Sequence, residues 1–386
     1  MKPLFLAENF DLPRLNIRKK LALLNWPFLM LVTVITLFGV AALYSVAGGS
    51  LEPWANRHIL RFCFGLALVF AIALSDLKWW LRAAYPLYLL ALVLLAAVLL
   101  IGVESGGARR WLGVGDASFQ PSELMKIALV LALARYYQWL PPRLVSRPDA
   151  VLVPLLMIGL PVVLALDQPD LGTALLFMAI GGGLLFLAGV SWIYFIGAIT
   201  AVIAILPHIW ERLHDYQQER VLTFFDPERD PLGSGYHILQ SKIAIGSGGF
   251  MGKGFMQGTQ AQLNFLPEKH TDFIFTMYAE EMGFIGAVIL LALYLFVLLF
   301  IAYMAFRCRS TFARLVAAGM GLCLFTYVFI NVAMVTGLVP VVGLPLPLVS
   351  YGGTSMLTMM VGLGFVLNAH INRKVPIRRE ELGPLW

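Results

Sequence analysis

Charged side chains are scarce in this chain of 386 residues, because only 13% of them are Asp, Glu, Lys or Arg. Soluble globular domains carry about 25% charged residues, so this composition excludes an ordinary water-soluble fold. Cysteine is also scarce, and Cys63, Cys308 and Cys323 all lie in or at the end of apolar runs. Without metal-ligand spacing or an even number, these residues do not indicate a disulfide scaffold or a zinc site, and we expect buried, unreactive thiols.

Long apolar runs dominate the sequence instead. Hydrophobic residues make up 60% of the chain, and the mean hydropathy is +0.81. A helix needs about 20 apolar residues to cross a bilayer. Ten stretches approach that length, which predicts an all-α polytopic membrane protein with about ten transmembrane helices. The predicted spans are 28–47, 58–74, 83–102, 119–138, 150–166, 170–189, 191–207, 273–305, 314–337 and 348–370.

The basic residues of the short loops predict the orientation of these spans. They collect before the first span, as in Arg18, Lys19 and Lys20, and then in every second loop, which predicts that both termini are cytoplasmic. A basic inner face beside anionic lipid accounts for the pI near 9.2, so no nucleic-acid partner is expected. The expected organisation is one membrane domain over 1–386, with a cytoplasmic segment 1–27, a large extracytoplasmic loop 208–272 between the seventh and eighth spans, and a cytoplasmic tail 372–386.

Acidic residues show the opposite bias and collect on the predicted outer face. Four segments form that face: 104–123, 167–173, 208–272 and 337–355. A loop as long as the third segment is uncommon unless it is functional. The last segment contains the stretch PLVSYGGTS, which we expect to pack as an ordered wall of an outer cavity. Irregular backbone at membrane depth is tolerated only where protein or water surrounds it.

Two arginines and a lysine lie in the first of these segments or directly after it. Arg109 and Arg110 precede Trp111, a pattern typical of an interfacial anchor with the tryptophan in the aromatic belt. Lys126 fits an anchor less well, because it lies about one turn inside a predicted helix, on the same face as Glu123. It forms a buried ion pair with Glu123 or takes part in function, as intramembrane charges commonly do.

Carboxylates reach the same membrane surface from segments that are far apart in sequence. Asp167 and Asp170 frame a proline, which is typical of a turn with a capping aspartate. Cations at such a surface suit a phosphate-bearing lipid head group, and carboxylates suit proton transfer or a divalent cation. Glu123 and Asp170 are the candidates for orienting the cations or for holding Mg²⁺ or Mn²⁺, and Glu268 is a further candidate for contact with substrate.

The motif HTDF places Asp272 at the mouth of a long apolar run. An aspartate in the first turn of a helix commonly caps free amide groups, although Thr271 is able to cap instead. Thr276 and Glu280 follow at spacings of four and eight residues, so the helix presents a polar stripe. The residues themselves leave two roles open for Asp272, a helix cap and a general base in proton transfer.

Several of these motifs occur together, in an order that resembles the SEDS family of shape, elongation, division and sporulation proteins. The resemblance spans nearly the whole chain. The motifs are ARRWLGVGDASFQPSELMK (108–126), DQPDLGT (167–173), DPERDPLGSGYHILQSKIAIGSGGFMGKG (226–254), FLPEKHTDFIF (265–275), AEEMG (279–283) and PLVSYGGTS (347–355).

The resemblance implies a ten-helix peptidoglycan glycosyltransferase that polymerises lipid II on the outer face of the bacterial cytoplasmic membrane during cell elongation. It implies a class B penicillin-binding protein as transpeptidase partner, among other proteins of the elongation complex. It also implies that Asp272 is catalytic, and we expect a general base in an inverting transfer. The expected substrate contacts are Arg109, Arg110, Trp111, Glu123, Lys126, Asp170 and Glu268.

A transporter or lipid flippase is the alternative interpretation, since intramembrane charges and interrupted helices are equally natural in such proteins. The sequence shows no inverted repeat, and its acidic residues favour chemistry at the outer surface. These two observations favour the enzyme.

Overall fold

A computed structural model of the chain describes residues 16–105, 108–114, 117–212, 218, 222–223, 226, 234–263, 266 and 268–377. Helices account for most of these residues. They are α1 (Ile17–Ala22), α2 (Trp26–Val46), α3 (Ala55–Leu74), α4 (Leu77–Ile101), α5 (Pro121–Trp139), α6 (Pro148–Asp167), α7 (Leu171–Ala188), α8 (Trp192–Arg212), α9 (Ser234–Ser247), α10 (Thr259–Gln262), α11 (Ile274–Phe306), α12 (Thr311–Val335) and α13 (Gly353–Ile371).

Eight of the described helices are long and apolar enough to cross a membrane, namely α2, α3, α4, α6, α7, α11, α12 and α13. Two further helices, α5 and α8, coincide with the predicted spans 119–138 and 191–207. Each predicted span therefore corresponds to one long helix. The prediction of a helical, multi-pass membrane protein is confirmed.

A short antiparallel sheet precedes α5 and was not predicted from the sequence. It consists of β1 (Val103–Ser105), β2 (Ala108–Val114) and β3 (Ala117–Phe119), in the order β1-β2-β3. Glycine pairs such as Gly-Gly and Gly-Asp are signals for two-residue hairpin turns. The sequence contains both, at 106–107 and 115–116, so the signal for this sheet was present.

Helices α5 and α12 occupy the centre of the bundle. Helix α12 packs against α5, α7, α11 and α13, and α5 packs against α4, α7 and α12. Every residue of α5 from Met125 to Ala134 is buried. This central position explains why α5 carries ionisable groups, because its polar side chains meet protein rather than lipid.

The expected long loop 208–272 contains ordered helical structure. Helix α8 continues to Arg212, and α9 packs against α11 and α12 within the bundle. The hydroxyl of Ser241 on α9 donates to the Val335 carbonyl and bonds to the Thr276 hydroxyl, both at 2.7 Å. A segment predicted only as a loop therefore contributes a helix with one buried face, which includes Ile238, Ser241 and Ala244. Residues 213–217, 219–221, 224–225, 227–233, 264–265 and 267 lie outside the described part.

The segment 337–355 is a packed, irregular wall between α12 and α13. Leu346, Leu348 and Val349 are buried, and the Leu346 amide donates to the Ser350 hydroxyl at 2.7 Å. The imidazole of His58, buried on α3, bonds to the Leu348 carbonyl at 3.0 Å. The stretch PLVSYGGTS is ordered and packed, with residues 347–350 buried and 351–355 half-buried, while its role as the wall of an outer cavity stays a prediction.

Candidate functional site

Glu123, Lys126 and Tyr327 form a buried cluster between α5 and α12. The Lys126 ammonium lies 2.7 Å from a Glu123 carboxylate oxygen and also donates to the Tyr327 hydroxyl. That hydroxyl donates to the same Glu123 oxygen at 2.9 Å. Lys126 is 1% exposed and Glu123 is 4% exposed, so the structure holds them as a closed ion pair. The second Glu123 oxygen is buried without a hydrogen-bond partner among the described residues.

Arg110 connects the sheet to the turn before α7. Its Nη2 donates to the Pro169 carbonyl at 2.9 Å, and its Nε lies 3.6 Å from Asp170 Oδ2. Asp170 is the N-cap of α7 and accepts from the Thr173 amide at 3.2 Å and from the Thr173 hydroxyl at 2.7 Å. Asp170 therefore serves as the expected helix cap and also holds Arg110.

Arg109 and Arg110 are neighbours in sequence, but their side chains lie on opposite faces of β2. Neighbouring residues of a strand point to opposite faces. Arg109 is exposed, whereas Arg110 and Trp111 are half-buried. Arg109 is thus the more accessible of the two guanidinium groups.

Asp272 lies in a fixed position beside the wall segment. Its carbonyl accepts a hydrogen bond of 2.8 Å from the Asn331 amide, which also donates to the Leu344 carbonyl at 2.6 Å. A Cβ at Gly343 would lie 3.4 Å from Asp272 Oδ2, so the carboxylate faces the backbone of that glycine. Asp272 is half-buried.

Two further hydrogen bonds join the HTDF motif to the wall. The Ser350 hydroxyl donates to the Thr271 carbonyl at 2.6 Å, and the Tyr351 amide donates to the His270 carbonyl at 2.9 Å. Because these contacts are to the backbone carbonyls of the two residues that precede Asp272, they hold this part of the motif against the wall rather than leaving it in a free loop.

Helix α12 connects the Asp272 region to the buried ion pair. Asn331 follows Tyr327 by four residues, so both side chains lie on one face of the helix, about one turn or 5.4 Å apart. Tyr327 contacts Glu123 and Lys126, and Asn331 contacts the Asp272 backbone. Candidates from three distant parts of the sequence therefore meet along one face of α12.

The start of α11 differs from the expectation. The helix begins at Ile274 with Phe273 as its N-cap, so Asp272 precedes the first turn instead of lying in it. Thr271 does not cap the helix either, since its hydroxyl donates to a Glu268 carboxylate oxygen at 2.7 Å. Glu268 itself is exposed.

The polar stripe predicted on α11 is buried inside the bundle, with Thr276 and Glu280 both at 0% exposure. Thr276 bonds to Ser241, and Glu280 accepts from Lys253 Nζ at 2.6 Å. Glu280 also accepts from the Thr259 amide at 3.0 Å and the Thr259 hydroxyl at 2.9 Å. These residues fasten the segment before Asp272 to the bundle.

Aromatic and basic residues that sequence reasoning missed surround the HTDF motif. The His270 ring stacks on Trp54, with centroids 4.6 Å apart. The Arg61 guanidinium lies over the Tyr351 ring at 4.5 Å and donates to the Tyr351 hydroxyl at 3.2 Å. Burial lowers the pKa of His270, Glu268 opposes this effect and Lys269 adds to it. The only sequence signal was the position of Trp54 and Arg61 near the outer end of a predicted span.

The carboxylates proposed for a divalent cation already have partners. Asp170 bonds to Thr173 and Arg110, and Glu123 bonds to Lys126 and Tyr327. Within the part of the chain that the structure describes, no three His, Cys, Asp or Glu side chains converge as metal ligands would. A cation that acts here would need ligands from a bound substrate.

Comparison with known proteins gives the relationship of this chain. Residues 19–375 match the model of the FtsW, RodA and SpoVE family, described as cell cycle proteins. The chain is 44% identical over 350 residues to the peptidoglycan glycosyltransferase MrdB of Escherichia coli K12, which covers 90% of this chain and 93% of MrdB.

Two solved structures agree with that match. One is a chain of a peptidoglycan synthase complex, described under structural coordination of polymerization and crosslinking. It is 35% identical, with a TM-score of 0.79, and the match covers 91% of this chain and 99% of that one. The rod-shape-determining protein RodA of Thermus thermophilus is 31% identical, with a TM-score of 0.69, and the match covers 91% of this chain and 98% of RodA. The chain therefore belongs to the FtsW, RodA and SpoVE family, which is the SEDS family that its motifs resemble.

Proposed function

We propose that this protein is a peptidoglycan glycosyltransferase that polymerises lipid II into glycan strands during cell elongation. The observation that carries the proposal is the placement of Asp272, a half-buried carboxylate on a fixed backbone at the end of the bundle where Arg109 and Arg110 also lie. The names of the relatives support the same activity, as peptidoglycan glycosyltransferases at 44% and 38% identity.

The proposed chemistry is a single inverting displacement at the anomeric carbon of the donor sugar. Asp272 accepts the proton of the acceptor hydroxyl while the oxygen of that hydroxyl forms the new bond to the anomeric carbon. The bond between the anomeric carbon and the pyrophosphate oxygen breaks, and the lipid pyrophosphate leaves with both bonding electrons. General-base catalysis of this kind contributes about 10²–10⁴-fold in rate.

The cations have different proposed roles because their environments differ. Arg109 is exposed, and Arg110 is half-buried against Asp170. The proposed role of both is to bind the pyrophosphate and to stabilise its growing charge. Lys126 is buried and paired, so we assign it a positioning role through Tyr327 and helix α12. Trp111, Asp170 and Glu268 complete the proposed substrate site, and Glu123 shares the positioning role of Lys126.

A divalent cation remains part of the proposal as a companion of the pyrophosphate, since the protein carboxylates named for it are already bonded. Mg²⁺ commonly binds through one or two carboxylates together with substrate phosphates. Asp170 and Glu123 stay the proposed protein ligands, and each would exchange a present partner for the cation.

The proposed location is the bacterial cytoplasmic membrane, with both termini inside and the Asp272 end outside. The proposed partner is a class B penicillin-binding protein, together with other proteins of the elongation complex. Support for a partner comes from the similar chain that belongs to a peptidoglycan synthase complex in which polymerization and crosslinking are coordinated.

Purified protein in detergent, supplied with lipid II, tests the proposal with no membrane left to transport across. Glycan chains longer than the substrate would support a polymerase and would eliminate a pure flippase. Absence of product both with and without the penicillin-binding partner would favour the flippase. Addition of a chelator, followed by Mg²⁺ or Mn²⁺, tests the cation in the same assay.

A further inference from the structure

Helix α11 is interrupted at Gly283, where the backbone leaves helical geometry with φ 67° and ψ −168°. The segment 249–254 fills the break. The Phe284 and Ile285 amides donate to the carbonyls of Gly249 and Phe250, at 2.8 and 3.2 Å. On the other side of the break, the Lys253 and Gly254 amides donate to the carbonyls of Glu280 and Glu281, at 3.1 and 3.0 Å.

Glycine makes this close approach possible. A Cβ on Gly252 would lie 2.0 Å from the Glu281 carbonyl oxygen, and one on Gly283 would lie 2.2 Å from the Gly252 nitrogen. Because the backbone groups around the break are paired with protein, the break is compatible with membrane depth. The break is therefore an ordered part of the structure, held by backbone hydrogen bonds on both sides.

An apolar groove of about 340 Å³ lies directly beside the break. Three glycines line it, and its side chains carry no ionisable group. Those side chains are Ile245, Phe250, Phe275, Ala279, Phe284 and Ala287. A ligand for such a groove is a hydrocarbon chain rather than a sugar or a phosphate.

The groove lies along α11 between Phe275 and Ala287. Two of its side chains are exposed, Phe250 at 75% and Phe284 at 60%. Phe275 is buried and follows Asp272 by three residues. Residues 284–306 of α11 are long enough to cross the bilayer, so the break lies near the membrane boundary on the Asp272 side.

We propose that this groove holds the polyprenyl chain of the lipid-linked sugar next to its pyrophosphate. The inference rests on the proposed function. If the head group of a lipid-linked substrate reacts at Asp272, its lipid chain has to lie beside the first turns of α11. The groove thereby sets the depth and direction from which the pyrophosphate enters the site.

The test compares two substrates and two variants. Ala287→Phe fills the groove from its half-buried wall, and Ala292→Phe is the matched control, a half-buried alanine of the same helix outside the groove. Polymerisation is measured with lipid II that carries a full polyprenyl chain and with a short-chain analogue of a few isoprene units. Melting temperatures in detergent verify that both variants are folded.

We expect Ala287→Phe to raise KM for the full-chain substrate about tenfold, which corresponds to the lost burial of about two methylene groups. KM for the short-chain analogue should be unchanged, and the control should behave like the parent. An equal effect on both substrates, or on neither, would overturn the proposal. Polymerisation of the short-chain analogue by the parent protein tests the proposed function separately.

A photoreactive polyprenyl diphosphate covers the case in which Ala287→Phe does not fold. With the parent protein, adducts on the peptides that contain Phe250 or Phe284 are expected, and excess phosphatidylglycerol should not remove them. Adducts elsewhere, or complete competition by phosphatidylglycerol, would show that the groove binds ordinary acyl chains or no chain.

Discussion

Asn331 holds the backbone of Asp272 against the wall segment, because its single side-chain amide donates to the Asp272 carbonyl at 2.8 Å and to the Leu344 carbonyl at 2.6 Å. Asn331 is fully buried on α12. A buried amide that bridges two irregular segments restrains their separation, since movement of either segment breaks its hydrogen bond to the amide.

Replacement of Asn331 by Leu should therefore lower both stability and kcat, with a smaller effect on KM. Loss of the bridge leaves two buried carbonyls without a donor, at about 1–3 kcal/mol each. Asn368→Leu is the matched control, because Asn368 is equally buried and bridges the Ile72 and Ser75 carbonyls at 2.8 and 3.0 Å, away from the site. The melting temperature should fall for both variants, whereas kcat should fall only for Asn331→Leu. An equal loss of kcat in both variants would mean that Asn331 has only a structural role.

Asp272→Asn should yield a folded protein that binds its partner but makes no glycan chains. The change is nearly isosteric and removes the base, so polymerisation should fall by at least about 100-fold. Gel analysis of lipid II products measures the effect, and Asp149→Asn is the control, because Asp149 is an exposed carboxylate at the start of α6 and outside the proposed site. Near-parent polymerisation by Asp272→Asn would exclude it as general base and make Glu268 or Asp170 the next candidate.

Lys126→Met should lower the free energy of unfolding, because Lys126 forms an ion pair with Glu123 inside the bundle. Breaking a buried ion pair by removal of one partner costs about 3–5 kcal/mol. The double variant Glu123→Gln with Lys126→Met should recover most of the melting temperature.

Polymerisation by that double variant separates the two roles of the pair. We expect it to stay low, since α12 loses the contacts that place Tyr327 beneath Asn331. Recovery of activity together with stability would assign the pair a purely structural role.

Arg109→Gln and Arg110→Gln should have different effects. Arg109 is exposed, so its loss should leave the melting temperature unchanged and raise KM about tenfold, as expected for one charge-assisted hydrogen bond. Arg110 is bonded to Pro169 and lies near Asp170, so its loss should lower the melting temperature as well. Identical stability and KM in the two variants would contradict the separation seen across β2.

Stability should decrease as the pH falls below about 6.5, the ordinary pKa of histidine. Burial lowers the pKa of His270 in the folded state, so the unfolded chain binds its proton first. The contribution of His270 is complete above pH 6.5 and is lost progressively towards its lowered pKa. Melting temperatures between about pH 5 and 7.5 measure the slope, which should be smaller in His270→Gln; an unchanged slope would assign the effect to other groups.

The sequence alone determined that the chain lies in a membrane, how many long helices it has and to which family it belongs. A bilayer requires apolar runs of a certain length, and such runs are visible in one dimension as spans such as 83–102 and 273–305. The motifs around Lys126, Asp170 and Asp272 were equally visible, because they are short and continuous. Even the missed sheet left its turn signals at 106–107 and 115–116.

Only the tertiary structure decided which groups meet. Lys126 pairs with Glu123 on its own helix, but Tyr327 completes that cluster from a helix far along the chain. The separation of Arg109 from Arg110 and the position of Asp272 before α11 depend on backbone geometry at element boundaries. Helical periodicity specifies which side chains share a face, and it contains no information about which distant backbone that face will contact, so the bridge from Asn331 to Asp272 could be found only in the folded chain.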